Sequence, residues 1–401
     1  MNNIKIYTIT VCIMVFAGFL FVPMLSPLLN KVIIGSSGQI LVKEVIARSG
    51  SPQDIQAAVD AVLAAGGGTV RVPSGTYNFD NPPEKGHGVI VVTNGKSISI
   101  IGAGMDVTIL QATKENQPVG SAMFYIDGRG GGRVRISGIT FKGKVVTTEE
   151  YSCYGVILVG CEDFRVDHCK FIDFAGGGVA AENAFSPPYG VNRGVIDHCE
   201  FDNPYKESIG GDWCYGVELH GRRLWQNLDS LLGHYDGLTD VVYIEDCVFK
   251  RCRYAVGAND GVFYVFRYNT VYLCPLYGSW AKAGVDCHEG GTNYPGARGL
   301  ECYNNKFKYV SGYGQQGVKM RAGGGVIYNN VFEIDIGVWL IKADWAQNEQ
   351  NYVKDLYIWN NTYYKTPLQK DNFYQENVHY FLRAKSGYIP YPYPHPLTTT
   401  P

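Results

Sequence analysis

Eight short copies of one pattern constrain this chain more than any other feature. Phe141, Phe171, Phe201, Phe249, Val271, Phe307, Phe332 and Tyr363 each close an octet such as "VYIEDCVF" or "GVIYNNVF". Five residues before each closing residue stand Ile136, Val166, Ile196, Ile244, Phe266, Cys302, Ile327 and Ile358, all apolar. Two residues before each stand Ile139, Cys169, Cys199, Cys247, Asn269, Asn305, Asn330 and Asn361, a column that changes from thiols to amides. Such self-similarity marks a solenoid, in which each coil buries its apolar side only by stacking on its neighbours. Asparagines stacked at the strand spacing of about 4.8 Å can bond side chain to side chain and hold a tight turn between two parallel sheets.

A second series alternates with the octets: Val156, Val179, Val217, Val256, Val285, Val318 and Val338, each preceded by glycine or alanine. Spacings run from 20 residues (Val318 to Val338) to 48 (Phe201 to Phe249), so a minimal coil of about 20 residues carries loops of varied length. Forty-nine glycines and 29 tyrosines against 6 methionines suit such a turn-rich, all-β chain. A formal net charge of −2 gives no nucleic-acid-binding signature.

The termini read differently. Residues 1–35 hold Lys5 and the apolar stretch Ile6 to Leu29, a signal peptide or an uncleaved N-terminal membrane anchor, so the expected location is secreted or cell-surface. Residues 45–385 form a single solenoid domain, and residues 386–401 a Pro/Thr-rich tail, read as an extended tether without chemistry. Exported proteins usually pair their cysteines. Here Cys169, Cys199 and Cys247 fall in a stacked column whose spacing of about 4.8 Å exceeds the Cβ separation of a relaxed disulfide, so packed free thiols are expected.

The stretch "AGVDCHEGG" from Ala283 to Gly291 falls on the valine series. With each marker valine and the residue two later facing inward, Cys287 is core and Glu289 opens a loop. The outward residues on successive rungs are then Glu218 and His220, Gly257 and Asn259, Asp286 and His288, Lys319 and Arg321, Trp339 and Ile341. Lys319 lies one rung, roughly 5 Å, from Asp286, and Arg321 the same from His288. An Asp286–Lys319 ion pair on a solvated face would explain any one of these residues; two histidines, two carboxylates and two cations together suggest a site. Loops carrying Trp213, Tyr215, Trp225, Tyr235 and Trp280 could wall it with aromatic rings suited to sugars. His168 and His198 occupy octet turns and read as local. Zinc would suit His220, Asp286, His288 and Glu218, but Lys319 and Arg321 set positive charge beside it, so calcium ranks ahead as a cofactor, although no oxygen-rich loop motif is present.

Family resemblance sharpens this. The segment "SPQDIQAAVDAVLAAGGGTVRVPSGTYNF", with its short helix, glycine run and "VPSGTY", resembles the N-terminal cap of the pectate-lyase-like right-handed parallel β-helix superfamily. The resemblance implies a right-handed parallel β-helix with a capping helix, acting on polysaccharide. "DCHE" at 286–289 resembles the Asp-Pro-His-Glu motif of β-helical mannuronan epimerases, which implies an acid/base role for His288, a site role for Asp286 and a substrate-carboxylate role for Arg321. Cysteine replaces that motif's proline, and Ala283 stands where it has a catalytic tyrosine. A lyase or epimerase acting on a uronic-acid glycan needs a cation for the carboxylate and a base for the neighbouring proton. His288, Asp286, Lys319 and Arg321 are the catalytic candidates; Glu218, His220, Asn259, Trp213 and Trp280 are candidates for binding. Alternatives are a glycoside hydrolase using Glu218 and Asp286, two rungs or roughly 10 Å apart, and a non-catalytic glycan-binding surface rod.

Overall fold

The computed structural model describes residues 30–34, 40–81, 86–114, 120–144, 153–182, 192–203, 214–221, 228–233, 241–273, 283–290, 295–310, 314–342 and 352–399. Three sheets of 13, 10 and 10 strands run its length. One coil is Val241–Glu245 in the first sheet, Val248–Lys250 in the second and Tyr254–Asn259 in the third. Rungs pair in parallel apart from an antiparallel start, Asn30–Ile34 against Ile40–Ile46. The octet register is met at every step: Phe141, Phe171, Phe201, Phe249, Val271, Phe307, Phe332 and Tyr363 pair in succession. The marker valines do the same from Val156 to Val338, and all are buried.

The turn between the first two sheets explains the amide column. From Phe171 onward, the residues three before each closing position, among them His168, His198, Asp246, Asn304, Asn329 and Asn360, have φ between 51° and 58°, a left-handed conformation that Asn, Asp and His adopt more readily than other side chains. Beside them the Asn330 amide accepts from Asn305 N and Nδ2 at 3.0 and 2.9 Å, and its own Nδ2 donates to Asn361 Oδ1 at 3.0 Å. Cys169, Cys199 and Cys247 continue the column as buried free thiols, like the other described cysteines. His168 and His198 stack at 4.9 Å and each contacts the preceding aspartate at 2.9 Å, a local role.

Glycine before each marker valine has a steric cause. A Cβ on Gly178, Gly216, Gly284 or Gly317 would lie 2.6, 2.6, 2.6 or 2.3 Å from Phe201, Phe249, Phe307 or Phe332. Both glycine and valine therefore face the core, and the aromatic stack of the second sheet fills the space. Ala255 is the exception, and the closing residue one rung on from Phe249 is Val271, the sole aliphatic member of the stack.

A helix, Pro52–Ala64, packs against strands Ile40–Ile46, Gly68–Arg71 and Val89–Val92, with Ser51 Oγ accepting from Asp54 N at 3.2 Å. No described helix is long and apolar enough to cross a membrane, and the Ile6 to Leu29 segment lies outside the described residues.

The tail corrects its reading as a tether: it is docked along the first sheet. Arg267 donates to Tyr391 O at 3.0 Å and Pro392 O at 2.9 Å while pairing with Glu245 at 2.6 Å, both side chains fully buried. His395 N donates to Glu245, and Tyr388 donates to Glu301 at 2.5 Å. A proline-rich strand leaves its own carbonyls unbonded, so they are free to satisfy buried guanidinium donors.

Candidate functional site

The inward Gly–Val pair breaks strict alternation on the third sheet, so the residue before each glycine projects outward. Three outward columns result. The first holds Tyr154, Tyr215, Tyr254, Ala283 and Gln316; the second Glu218, Gly257, Asp286 and Lys319; the third Glu182, His220, Asn259, His288 and Arg321. The second column is not a solvated face: Asp286 is 0%, Glu218 4% and Lys319 9% exposed. The third is partly open, with the His288 side chain 33% exposed.

Asp286 aligns with Lys319 in register but pairs with Arg321, at 3.1 Å to Nε and 2.5 Å to Nη2. Arg321 Nη1 lies 2.5 Å from Glu289. Burial alone would raise the Asp286 carboxyl; Arg321, Lys319 and His288 outweigh it and hold the group below the usual carboxylate range. The Asp286–Arg321 pair is hydrogen-bonded at both carboxylate oxygens, as a buried ion pair requires, whereas Glu289 Oε2 meets Arg321 by charge without a hydrogen bond. His288 Nδ1 is 2.7 Å from its neighbour's carbonyl, Glu289 O. A carbonyl only accepts, so Nδ1 carries a proton, and in the neutral form of the ring the lone pair is on Nε2.

Lys319 is the free cation of the group: among the described residues its ammonium makes no hydrogen bond or ion pair, and it lies 5.9 Å from the Tyr254 ring centroid. Burial lowers its pKa, outweighing the pull of Asp286. Tyr254 is itself buried, and burial pushes its phenol up, so it keeps its proton.

One or two rungs away lies a second cluster. His220 faces Asp260 at 2.7 Å through Nδ1 and Glu218 at 3.0 Å through Nε2, while Tyr154 donates to Glu218 at 2.5 Å. Both ring nitrogens point at carboxylates, so both carry protons. Burial opposes that charge, but Asp260 and Glu218 push the His220 pKa up to about 10.

Several expectations change. Arg321, cast as the substrate-carboxylate arginine, is engaged by two carboxylates. Glu289, assigned to a loop, turns back into the site to pair with Arg321. Glu218 and His220 are spent on each other and on Tyr154 and Asp260, so they shape the wall rather than offer open ligands; the same contacts disfavour Glu218 as a hydrolytic carboxylate. Asn259 Oδ1 accepts from Asp260 N at 2.9 Å, which turns its amide nitrogen elsewhere. Trp213 and Trp280, with Trp225 and Tyr235, lie outside the described residues. Among the described residues no group of three or more His, Cys, Asp or Glu side chains is arranged to hold a metal, so the calcium reading finds no matching donor set there. Tyr154, Tyr254 and Asp260 were missed. Alternation places Tyr154 and Tyr254, two residues before their valines, in the core; the recurring glycine before each valine was the signal that it fails there.

Comparison with known proteins agrees with the fold. The family model described as "Right handed beta helix region" matches residues 122–307. Mannuronan C5-epimerase AlgE4 of Azotobacter vinelandii is 44% identical over 57 residues, 14% of this chain and 10% of that protein. Alginate lyase 7 of the same organism is 42% identical over 57 residues, 14% of this chain and 6% of that protein. The chain thus spans a small part of the relatives it matches. Alginate lyase from Paenibacillus sp. str. FPU-7 superposes with a TM-score of 0.51 at 13% identity, covering 84% of this chain and 99% of that one. The tailspike protein of E. coli bacteriophage HK620, in complex with a pentasaccharide, gives 0.54 at 15% identity, covering 82% and 56%. The chain therefore has the right-handed parallel β-helix fold, and the identities are too low or too local to assign one characterised family.

Proposed function

We propose that this protein modifies a uronic-acid-containing polysaccharide by removing the proton next to a sugar carboxylate. The observation that carries the reading is Lys319, a largely buried lysine whose ammonium has no ion-pair partner among the described residues, set on the rung next to His288, whose Nδ1 faces a carbonyl so that Nε2 is the ring nitrogen placed to accept a proton. A cation on a largely buried side chain without a counter-charge gains from an anion brought to it. A sugar carboxylate over Lys319 is such an anion, and its resonance then accepts the electrons released when the adjacent C–H bond breaks.

His288 Nε2 takes that proton and becomes imidazolium beside Asp286 and Glu289. Lys319 stabilises the resulting enolate. Tyr254, protonated and on the opposite column, is the acid. Returning a proton to the carbon from the Tyr254 flank inverts that centre, the epimerase outcome. In the lyase outcome the enolate electrons form a C=C bond, the glycosidic C–O bond breaks and the departing oxygen takes the proton. Placement of His288 and Tyr254 on opposite sides of the second column favours inversion. The Azotobacter relatives carry both activities in their names, mannuronan epimerase and alginate lyase, so mannuronan is the first substrate to test.

The apolar Ile6 to Leu29 segment supports export, as a cleaved signal or a single anchor, which would place the glycan-active domain outside the cell. The Pro52–Ala64 helix is assigned as the N-terminal cap that covers the first open rung. The test is incubation with mannuronan, read by proton NMR for inversion and by the ultraviolet band of unsaturated uronates. Native protein is expected to give one or both, and His288→Ala neither while still binding the polymer. New reducing ends without either signal would overturn the reading in favour of hydrolysis, and no turnover across acidic and neutral glycans would favour the binding rod.

A further inference from the structure

The Tyr254 ring has a second cation beside it that the chemistry above leaves unexplained. The Arg253 guanidinium carbon is 5.1 Å from the ring centroid, nearer than the Lys319 ammonium at 5.9 Å. The Tyr215 ring packs on the remaining side at 5.4 Å and 52°. Arg253 is fixed at its backbone, whose N–H donates to Cys214 O at 3.0 Å on the preceding rung. It sits in the short turn that leads from the second sheet into the third, directly before Tyr254.

These two cations have different fates during turnover. Lys319 would be drawn toward a bound carboxylate, because an ion pair with an anion is stronger than attraction to a ring face. The ring would then lose that contact just when its hydroxyl must be held in place. Arg253 does not share that task. Its guanidinium is planar, remains charged throughout and stacks well on an aromatic face.

We propose that Arg253 is the positioning residue for Tyr254, holding the phenol in its donating orientation once Lys319 is engaged by substrate. The inference rests on the reading of Tyr254 as the acid. It predicts an effect on the chemical step and little on substrate capture, because Arg253 acts on the catalytic ring.

Arg253→Met, Arg253→Lys, Tyr254→Phe and the Arg253→Met/Tyr254→Phe double variant decide the matter, with mannuronan as the probe. Arg253→Met is expected to lower kcat by about 10- to 100-fold through misplacement of the phenol. KM should stay within about twofold, Arg253→Lys should recover most of the rate because it restores the cation, and Arg253→Met should cost nothing further once Tyr254 is Phe. An equal loss in both backgrounds, or a raised KM with native kcat, overturns the proposal. Native turnover by Tyr254→Phe would instead refute the acid assignment, and the proposal with it. A readout independent of turnover is the ring resonance of Tyr254 in protein with ¹³C-labelled tyrosine, assigned by its disappearance in Tyr254→Phe. Arg253→Met should shift and broaden it; an unchanged resonance overturns the proposal even if no double-variant rate can be measured.

Discussion

Replacing Lys319 by methionine should make the protein more stable and nearly inactive. The side chain is 9% exposed, and its register partner Asp286 is committed to Arg321. Methionine keeps the unbranched stem and removes the charge. Burying a polar group without a hydrogen bond costs about 1–3 kcal/mol by mutational measure, while the pull of Asp286 offsets part of that, so a net gain of about 1–2 kcal/mol is expected, the range typical when a functional residue is made inert. The sign follows from the pKa. Lys319 is lowered below its ordinary 10.5, so the folded state disfavours the ammonium. The penalty is fully present where lysine is charged in both states and fades as pH rises through the folded value toward the unfolded one. The advantage of Lys319→Met should therefore be largest near neutral pH and shrink in alkali. Thermal unfolding followed by circular dichroism at neutral and alkaline pH measures this, and at about 2 °C per kcal/mol the shift is readable. Turnover on mannuronan should fall by about 10²- to 10³-fold, the cost of removing one group that stabilises developing charge. A variant less stable than the native protein at neutral pH would show that the ammonium is paired, and undiminished turnover would show that it does not receive the substrate.

Three further predictions address the scaffold and the second cluster. Asn330→Leu leaves the Asn305 backbone donor without its partner and removes the amide bond to the Cys302 carbonyl, and should lower stability by about 1–3 kcal/mol, seen as a drop in the urea midpoint. His220 has a raised folded pKa, so its contribution is complete below the ordinary 6.5 and is lost as pH rises through about 10. Native protein should lose about 3 kcal/mol over that window, and His220→Gln should flatten the profile; an unchanged slope would contradict the imidazolium assignment. Val271→Phe should destabilise by about 1–3 kcal/mol through overpacking, and Ala255→Gly in the same chain should restore most of it, measured as a double-mutant cycle.

The architecture was legible because it is written as columns. Eight closing positions and seven marker valines fix register over most of the molecule, and the amide ladder follows from Asn305, Asn330 and Asn361 sharing one offset. The candidate site was legible in part. Asp286, His288, Lys319 and Arg321 share the outer face as expected, but which charges pair depends on side-chain reach: Arg321 spans diagonally to Asp286, a choice that register alone does not make. Glu289 and Asp260 enter the site from positions just past their strands, where periodicity carries no orientation. Tyr254 and Arg253 were hidden because two consecutive inward residues shift the phase of every third-sheet strand. The tail resisted reading for another reason. Its proline-rich sequence shows extended backbone, and only the opposing face reveals Arg165 and Arg267 as receptors for its carbonyls.

The most direct test of the central claim is hydrogen exchange at the carbon bearing the carboxylate, since epimerisation and elimination share that step and hydrolysis does not. Mannuronan incubated with the protein in deuterium oxide and examined by NMR should lose the proton at that carbon with native protein, by inversion with deuterium uptake or by formation of a double bond, and keep it with His288→Ala. Polymer that is cleaved or bound while every such proton is retained would contradict the account.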